Sequence, residues 1–480
     1  MTENVLKQAC YGDDAPIAAF ATTPGSGALT LIRCTGKDSI KLVASVFSSA
    51  GLISAAGNTV VHGRVIRKSE TPETIDEVLV SVFRAPKSYT GEDSLDICCH
   101  GGHAAGNAVM DVLRETGFRG ALPGEFTFRA FMNGKLDLTK SESVMELVSA
   151  KTEAGRRRAV SRLSGSLEKE INEIKSLLVQ VLASCEIYLD YSEDEVSADD
   201  NDEIEGILPN RSIALDALSR LKKLSASWKI ERIYQEGVTI VIAGHSNAGK
   251  SSLFNLLLKE DRSIVTEIPG TTRDWIEALI SIEGIPVRLF DTAGLRETSD
   301  TVEKIGVDRS LNLIKDADIV LYLIDGGHGI TDKDSIEIKM WNVECKKTIF
   351  LWNKTDISPP PFPFPLDNIV PVCISAKNGT GINELRLAII EAVQKYAECD
   401  SGFQLADNGF ASLGTVRQKN LVEAACSSLD DVLSMAERRT PLDFIAPLLR
   451  EAVNSLGEIT GEVSTADILE EMFSKFCVGK

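Results

Sequence analysis

The sequence lacks an excess of positive charge and any long apolar run, and each absence excludes a class of protein. Of 480 residues, 51 are basic and 70 are acidic, which gives a net charge of −19. A protein that coats nucleic acid non-specifically is therefore not expected, because phosphate binding needs a positive face. No run of about eighteen apolar residues is present, so we expect no membrane-spanning segment. The N-terminus has no basic segment followed by an apolar core, which argues against a signal peptide.

Cysteines are present, but their spacing does not match a redox or zinc motif. The ten cysteines include no CxxC pair and no zinc-ligand spacing. We expect the adjacent Cys98 and Cys99 to be buried thiols and predict a reducing, cytoplasmic environment. Hydrophobic residues make up 43% of the chain and charged residues 25%, which is ordinary for soluble globular proteins. The length indicates roughly three domains.

The periodicity of apolar residues divides the chain into parts. Residues 1–122 mix predicted strands at 28–33, 78–83 and 94–99 with a predicted helix at 103–115. From about residue 123, apolar residues recur at spacings of three and four, which predicts one long helix in a bundle core. Its stripe comprises Val160, Leu163, Leu167, Ile171, Ile174, Leu178, Val181 and Cys185. An acidic loop at 193–205 and a further helix at 208–233 follow.

Strands alternate with helices over the next part of the chain. Predicted strands at 238–243, 287–290, 319–324, 348–351 and 370–374 indicate a parallel sheet covered on both faces. The chain is helical again from about residue 403. The simplest architecture has an N-terminal α+β domain at 1–122 and a helical domain made from 123–236 and 397–480. An α/β, Ras-like P-loop domain at 237–396 is inserted between the two helical parts.

A phosphate-binding motif opens the inserted domain. Residues 244–251 (GHSNAGKS) match GxxxxGK[ST] between a predicted strand and a predicted helix. Backbone N–H groups of such a loop surround phosphates, aided by the helix dipole. We expect Lys250 to act on the outer phosphates as a catalytic residue and Ser251 to ligate Mg²⁺. The nucleotide contacts predicted here are Asn247, Ala248, Gly249, Lys250, Ser251 and Ser252.

Two further segments are expected to contact the phosphates and the metal. Asp291 ends a predicted strand and would reach Mg²⁺ through water, and Gly294 would face the γ-phosphate. Thr292 and Ala293 complete this motif. Between it and the phosphate loop lies the segment 270–274 (GTTRD). A threonine there completes the Mg²⁺ shell only while the γ-phosphate is present, which makes the segment a switch.

The last two motifs predict the base. Residues 353–356 (NKTD) follow a predicted strand, and the Asp356 carboxylate can accept two hydrogen bonds from guanine. Adenine would leave that carboxylate unpaired, a mismatch that rejects a ligand by on the order of 10⁴-fold. Asn353, Lys354, Ser375, Ala376 and Lys377 are the other predicted base-side contacts. Four ordered motifs, each at the end of a strand, favour GTP over ATP.

Ras-type GTPases use a glutamine to orient the attacking water, and this chain has Leu295 at that position. Leucine cannot form a hydrogen bond, so another group must hold the water. Glu297 and Glu303 lie downstream as alternatives. Arg273 and Arg296 could serve as arginine fingers, although surface roles are favoured for both.

Several strings give the chain a resemblance to the MnmE (TrmE) family of tRNA wobble-uridine modification GTPases. Three lie in the inserted domain, at 244–252 (GHSNAGKSS), 268–274 (IPGTTRD) and 291–297 (DTAGLRE), and related ribosome-assembly GTPases share them. Five others separate the family from those relatives: 88–93 (SYTGED), 100–102 (HGG), 122–131 (LPGEFTFRAF), 134–138 (GKLDL) and 476–480 (FCVGK). The resemblance therefore runs from end to end.

The resemblance implies a fold, partners and a reaction. The N-terminal domain would resemble a tetrahydrofolate-binding fold and mediate a constitutive homodimer. The protein would work with MnmG, a flavin- and NADH-using partner, in a heterotetramer or larger complex. Together they would modify C5 of the wobble uridine of certain tRNAs, with a folate supplying the one-carbon unit. The GTPase domains would pair during hydrolysis, assisted by K⁺.

The resemblance implies which residues of this chain occupy the family's site positions. Asn247 would ligate K⁺, with backbone carbonyls near Thr266, Ile268 and Thr271 completing the cage, and Thr266 and Thr271 would also contact GTP. Thr272 matches the second Mg²⁺ ligand, and Glu303 matches the acid that orients water. The folate-contacting positions are matched by Arg33, Glu92, Lys135 and Lys480. Cys477 matches the family's C-terminal cysteine, for which a catalytic role and an inert structural role are both open.

Two alternatives belong to other functional classes. A ribosome-assembly GTPase would act as an rRNA-binding switch, but such proteins usually carry a basic module after the GTPase domain. Residues 397–480 are helical in pattern and not strongly basic, which disfavours that alternative. A membrane-transport GTPase is disfavoured because no spanning segment is expected.

Overall fold

The described residues form two compact units. The computed structural model describes residues 11, 13–23, 25, 27–190, 208–245, 247–260, 276–291, 313–331, 348–361, 364, 370–398 and 411–479. Unit 1 comprises Met1–Met145, Leu163–Leu221 and Asn420–Lys480, and unit 2 comprises Glu146–Arg162 and Lys222–Lys419, within those described ranges.

Unit 1 begins with a six-stranded sheet. Its strands are β1 (Ile17–Phe20), β2 (Leu29–Thr35), β3 (Thr59–Arg67), β4 (Glu73–Phe83), β5 (Ser94–His100) and β6 (Arg119–Gly120), in the spatial order β3-β4-β5-β2-β1-β6. Only β1 and β6 among these neighbours run parallel. Alternate side chains of the sheet, such as Ile32 and Ile97, are fully buried in one core with α1 (Ser39–Ser45) and α2 (His103–Glu115). The three strands and the helix predicted here are confirmed, although the strand predicted at 78–83 begins earlier, at Glu73.

The helical part of the chain differs from prediction at one point. After α3 (Glu125–Met132) and α4 (Leu138–Ser149), the long predicted helix is two helices, α5 (Glu153–Leu163) and α6 (Ser166–Asp190). The break falls at Gly165, whose φ of +94° is outside the helical region. Val160 is 36% exposed, so its assignment to the buried stripe was wrong. The members from Leu167 to Cys185 are fully buried, as predicted.

The predicted helix at 208–233 is α7 (Arg211–Glu236), which leads into unit 2. Unit 2 holds a second six-stranded sheet, formed by β7 (Val238–Gly244), β8 (Ile276–Ile282), β9 (Ile285–Asp291), β10 (Ile319–Asp325), β11 (Thr348–Asn353) and β12 (Val372–Cys373), with α8 (Lys250–Glu260) and α9 (Ile382–Glu398). The strand order is β12-β11-β10-β7-β9-β8. Five strands are parallel, but β8 pairs with β9 antiparallel, so the prediction of a wholly parallel sheet was wrong.

Three helices end the chain: α10 (Val416–Glu437), α11 (Leu442–Thr460) and α12 (Ala466–Ser474). Within unit 1, α11 packs along α6. None of the helices in the described ranges combines the length and the apolar character needed to cross a membrane. The acidic stretch at 193–205 lies outside the described residues. The mixture of α/β and all-α parts confirms the predicted fold class.

Candidate nucleotide-binding site

The phosphate-binding motif lies where β7 ends and α8 begins. Gly244 is the last residue of β7, and Lys250 is the first of α8. Asn247, in the loop between them, has a φ of +67°. Gly249 has a φ of +99°, and a Cβ added there would lie 2.3 Å from the side-chain nitrogen of Asn353. Only glycine allows this close approach, so the loop is shaped by its sequence to bring backbone N–H groups together.

Lys250 has its charged end inside the loop. Its Nζ donates to the carbonyl oxygens of Gly244 at 3.0 Å and His245 at 2.8 Å, and the residue is buried. An ammonium group removed from water attracts anions more strongly than one at the surface. The geometry therefore suits Lys250 to the predicted role at the outer phosphates.

A hydroxyl and a carboxylate meet beside the loop. Ser251 Oγ donates to Asp291 Oδ2 at 2.8 Å, and Asp291 is buried at the end of β9. Both groups are oxygen ligands of the kind that Mg²⁺ takes. They fit the predicted pair, with Ser251 as a direct ligand and Asp291 acting through water. No cluster of three His, Cys, Asp or Glu side chains suited to a metal ion occurs within the described part of the chain.

The Asn353 side chain joins three segments of the site. Its Nδ2 donates to Ala248 O at 2.7 Å, and its Oδ1 accepts from the backbone N–H of Ala376 at 3.0 Å. Asn353 is buried at the end of β11. Both ends of its amide are thus engaged by the protein, which ties the phosphate loop to the segment after β12.

Asp356 presents an ionised carboxylate on the loop that follows β11. Ser375 Oγ donates to Asp356 Oδ1 at 2.6 Å. That hydrogen bond, aided by the charges of Lys377 and Lys354, lowers the pKa of the Asp356 carboxyl. The Asp356 side chain is exposed, so its other oxygen is accessible to a base.

Asp325 is a residue of this site that sequence analysis missed. Its Oδ2 accepts from Lys354 Nζ at 2.6 Å. Burial opposes ionisation of Asp325, but the hydrogen bonds from Lys354 and from the backbone of Gly327 outweigh it and lower the pKa of this carboxyl. A usable signal was present in the sequence, because Asp325 follows an apolar strand in the same way that Asp291 does.

The structure places part of the predicted site together. The described nucleotide candidates, including the exposed Ser252, lie on unit 2 around the carboxyl ends of β7, β9 and β11 and the segment after β12. The other predicted nucleotide and cation residues lie outside the described residues: Thr266, Ile268, Thr271, Thr272, Thr292, Ala293, Gly294 and Glu303. Leu295, Glu297, Arg273, Arg296 and Lys480 lie outside them as well.

The predicted folate residues surround one loop of unit 1, which follows β4 and leads into β5. Arg33 forms two hydrogen bonds with Asp96, Nε to Oδ1 at 2.9 Å and Nη2 to Oδ2 at 3.1 Å. Its guanidinium also lies 6.0 Å from the centre of the Tyr89 ring. Lys135 Nζ donates to Pro86 O at 3.0 Å. Arg33 is thus already paired with a carboxylate, whereas the contact of Lys135 is with a carbonyl oxygen.

Glu92 is held by two side chains. Thr35 Oγ1 donates to its Oε2 at 3.1 Å, and Arg129 Nη1 lies 3.3 Å from the same oxygen. The hydroxyl groups of Thr90 and Ser94 lie 2.7 and 2.8 Å from Thr35 Oγ1. Glu92 is therefore a fixed acceptor at the rim of a cluster of hydroxyl groups.

The C-terminal tail packs against the N-terminal part of the same unit. Phe473 is fully buried among Tyr11, Phe128 and Phe131. The backbone N–H of Gly124 donates to Cys477 O at 3.3 Å, while the Cys477 side chain is exposed. The tail is thereby fixed with its thiol open to solvent.

Comparisons with known proteins cover almost the whole chain. The family model "MnmE helical domain" matches residues 138–477, and the model "GTP-binding protein TrmE N-terminus" matches residues 16–135. The tRNA modification GTPase MnmE of Treponema denticola is 42% identical over 98% of this chain and 99% of its own length. The protein of the same name from Alkaliphilus oremlandii is 38% identical over 98% of this chain and 100% of its own length. The one from Borrelia recurrentis is 41% identical over 97% of this chain and 98% of its own length.

Proposed function

Because the chain belongs to the MnmE family of tRNA modification GTPases, we propose that it couples GTP hydrolysis to modification of C5 of the wobble uridine in certain tRNAs. The observation that carries the GTPase part is the joining of phosphate loop and base loop by one buried side chain, that of Asn353. Lys250, Ser251, Asp291 and Asp356 supply the groups that phosphates, Mg²⁺ and guanine require.

During hydrolysis, positive groups must neutralise the negative charge that develops on the phosphates. Lys250 supplies one positive group, and Ser251 and Thr272 would hold a Mg²⁺ ion that would neutralise charge on the phosphate oxygens. We place a K⁺ ion at Asn247, with the carbonyls of Thr266, Ile268 and Thr271, in the role that an arginine finger fills elsewhere. The backbone of Asn247 in the phosphate loop has a left-handed conformation, with a φ of +67°, which supports this assignment.

Water must be oriented by a group other than Leu295. We assign that task to Glu303, with Glu297 as the alternative, because a carboxylate can accept a hydrogen bond from the attacking water. Replacement of Glu303 by alanine would then retain GTP binding and remove most of the hydrolysis. Retained hydrolysis in that variant would move the assignment to Glu297.

The folate site is proposed from Glu92, Lys135, Arg33 and Lys480. A pterin ring offers adjacent N–H donors, which suit a carboxylate held as rigidly as that of Glu92 by Thr35 and Arg129. The glutamate tail of a folate needs a cation. Lys135 suits this task better than Arg33, because Arg33 is already engaged by Asp96.

Further parts of the proposal concern assembly and location. We propose a homodimer through the N-terminal part, a flavoprotein partner of the MnmG type, and action in the cytoplasm. The four-part division at 1–122, 123–236, 237–396 and 397–480 is proposed with it. The chain has a net charge of −19, and tRNA phosphates need a positive surface. We propose that the partner supplies this surface.

Two experiments test the proposal. The first is mass analysis of wobble nucleosides in tRNA from a deletion strain, with and without the gene restored. Loss of a C5 modification and its return are expected, whereas unchanged tRNA together with co-sedimentation of the protein with ribosomal subunits would support the rRNA-binding alternative. The second is calorimetry with formyl-tetrahydrofolate, for which absence of heat at millimolar ligand would reject the folate site.

A further inference from the structure

At the base end of the nucleotide site, the charge of Lys354 acts on two carboxylates, those of Asp325 and Asp356. Asp325 is the last residue of β10 and lies opposite Asn353 in the register of β10 with β11. Lys354 follows Asn353 directly, with a φ of +65°, and Asp356 lies two residues further on. The Lys354 ammonium is bound to Asp325 at 2.6 Å, although its charge also acts on Asp356.

Asp325 is itself held in place on both sides. The backbone N–H of Gly327 donates to its Oδ1 at 2.9 Å, and His328 Nδ1 lies 3.1 Å from its Oδ2. Its side chain is only 11% exposed, whereas Lys354 is 29% exposed. Asp325 is therefore a fixed anchor, and Lys354 is the part of the pair that can move.

The consequence for the base follows from the chemistry of lysine. A lysine ammonium on a flexible four-carbon stem turns to the nearest available anion. Without its partner at position 325, a candidate is the exposed Asp356 carboxylate, on which the Lys354 charge already acts and whose Oδ1 already accepts from Ser375. An ammonium on the remaining oxygen would compete with the two N–H donors of guanine for the same acceptor.

We propose that Asp325 is a positioning residue for guanine recognition, which holds the Lys354 ammonium at the end of β10 and so keeps the Asp356 carboxylate available to the base. This inference rests on the proposed GTP site and deepens it. It assigns separate tasks to the two acids, since one binds the protein's own cation and the other binds the nucleotide.

The test is a double-mutant cycle on the full chain, with binding of GTP and of inosine triphosphate measured by calorimetry. Inosine lacks the exocyclic amine, so the GTP-to-ITP affinity ratio reports on the second hydrogen bond to Asp356. Asp325→Asn keeps the size of the side chain and an acceptor for Gly327, but it removes the charge. We expect GTP affinity to fall about fivefold, which is the upper end of the range for exposed ion pairs and suits a pair that is partly buried, and the ratio to fall with it.

The second arm of the cycle uses Lys354→Met. Removing the ammonium removes the competitor, so in the Lys354→Met background the addition of Asp325→Asn should leave the GTP-to-ITP ratio unchanged, whatever ratio Lys354→Met has itself. If Asp325→Asn alone does not fold, the comparison of Lys354→Met with the double variant, which removes both charges of the pair, still decides the matter, because a further fall of the ratio overturns the proposal. An equal effect of Asp325→Asn in both backgrounds, or on both nucleotides, overturns it as well.

A matched control is Asp318→Asn at the other end of the same strand. Asp318 Oδ2 accepts from the backbone N–H of Thr239 at 2.8 Å, so Asp318→Asn makes the same change of charge at a hydrogen-bonded carboxylate and reports general weakening of the sheet. We expect its GTP-to-ITP ratio to be unchanged, and a fall equal to that of Asp325→Asn would overturn the specific role. Failure of the wild-type chain to bind GTP would instead reject the proposed function itself.

Discussion

The side-chain nitrogen of Asn353 donates to the carbonyl oxygen of Ala248 at 2.7 Å. This bond joins the last residue of β11 to the middle of the phosphate loop, so the base side and the phosphate side of the site are held at one spacing. The neighbouring Gly249 is what allows the approach, because a side chain there would meet the same nitrogen. The Asn353 side chain was predicted from the sequence to contact the nucleotide, and in the structure it binds two other segments of the protein.

Replacing Gly249 with alanine should weaken nucleotide binding. The added Cβ would lie 2.3 Å from Asn353 Nδ2, at a φ of +99° that alanine rarely adopts. We expect GTP affinity, measured by calorimetry, to fall by at least about fivefold, because backbone strain of this kind costs ~1–3 kcal/mol. Gly117→Ala is a matched control, since its φ is +112° but nothing lies within 4 Å of the added atom. Wild-type affinity in Gly249→Ala would contradict this account of the loop.

Replacing Asp356 with asparagine should change the preferred base. An amide cannot accept from both guanine donors, but its NH₂ can donate to the extra oxygen of xanthine. We expect weaker GTP binding and stronger binding of xanthosine triphosphate. Competition between the two nucleotides at equilibrium measures the change, and an unaltered GTP affinity would show that Asp356 does not contact the base.

Hydrolysis should be faster in K⁺ than in Na⁺. The proposed K⁺ ion at Asn247 would offset negative charge in the transition state, a role worth about 10³–10⁵ in rate when an arginine performs it. Turnover in the two chloride salts at matched ionic strength measures the difference. Equal rates would remove the cation from the proposal without affecting the assignment of Lys250 or Ser251.

Sequence motifs predicted which residues lie together where a motif sits at the end of a strand. Lys250, Ser251, Asp291 and Asp356 lie at one edge of the sheet, because parallel strands bring their carboxyl ends together. Their roles toward a nucleotide stay predictions. Periodicity also predicted the stripe from Leu167 to Cys185, since a 3.6-residue repeat allows only one buried face.

Other features depend on contacts that a linear pattern does not contain. The strand β8 was missed because its antiparallel pairing with β9 is set by the tight turn at Glu283 and Gly284. The break at Gly165 was missed because the apolar spacing continues across it. Asp325 carries no motif, and its role depends on the register that places β10 beside β11.

Arg162 should be needed for the stability of unit 2. The residue is 1% exposed, and its guanidinium lies 2.6 Å from Glu146 and 2.9 Å from Glu231. Arg162→Met would remove this cation from two buried carboxylates, of which Glu231 would retain Arg158 at 2.8 Å, and breaking a buried ion pair typically costs about 3–5 kcal/mol. Urea unfolding measures this loss. Arg157→Met is the control, because Arg157 is exposed and pairs with Glu153 at the surface, and we expect its free energy of unfolding to change by less than about 1 kcal/mol. Equal stability of the two variants would contradict the role given to the buried pairs.

Cys477→Ser should separate the role of the tail in chemistry from its role in structure. The tail is held by the buried Phe473 ring and by the bond from Gly124 to the backbone oxygen of Cys477, and neither contact involves the thiol. Serine has nearly the same size, so folding and GTP turnover should be unchanged. If the exposed thiol acts near the one-carbon unit, as nucleophile or proton donor, wobble-uridine modification should fall sharply, because a hydroxyl is far less nucleophilic than a thiolate.

The matched control for this last prediction is Cys373→Ser, which changes an exposed cysteine of unit 2. Both variants are compared by mass analysis of wobble nucleosides from the strains that carry them. Loss of modification only in Cys477→Ser would assign chemistry to the tail, since the two substitutions remove the same group from two exposed positions. Full modification in Cys477→Ser would leave the cysteine a small side chain at the end of an anchored tail, and the anchor would then be the tail's whole contribution.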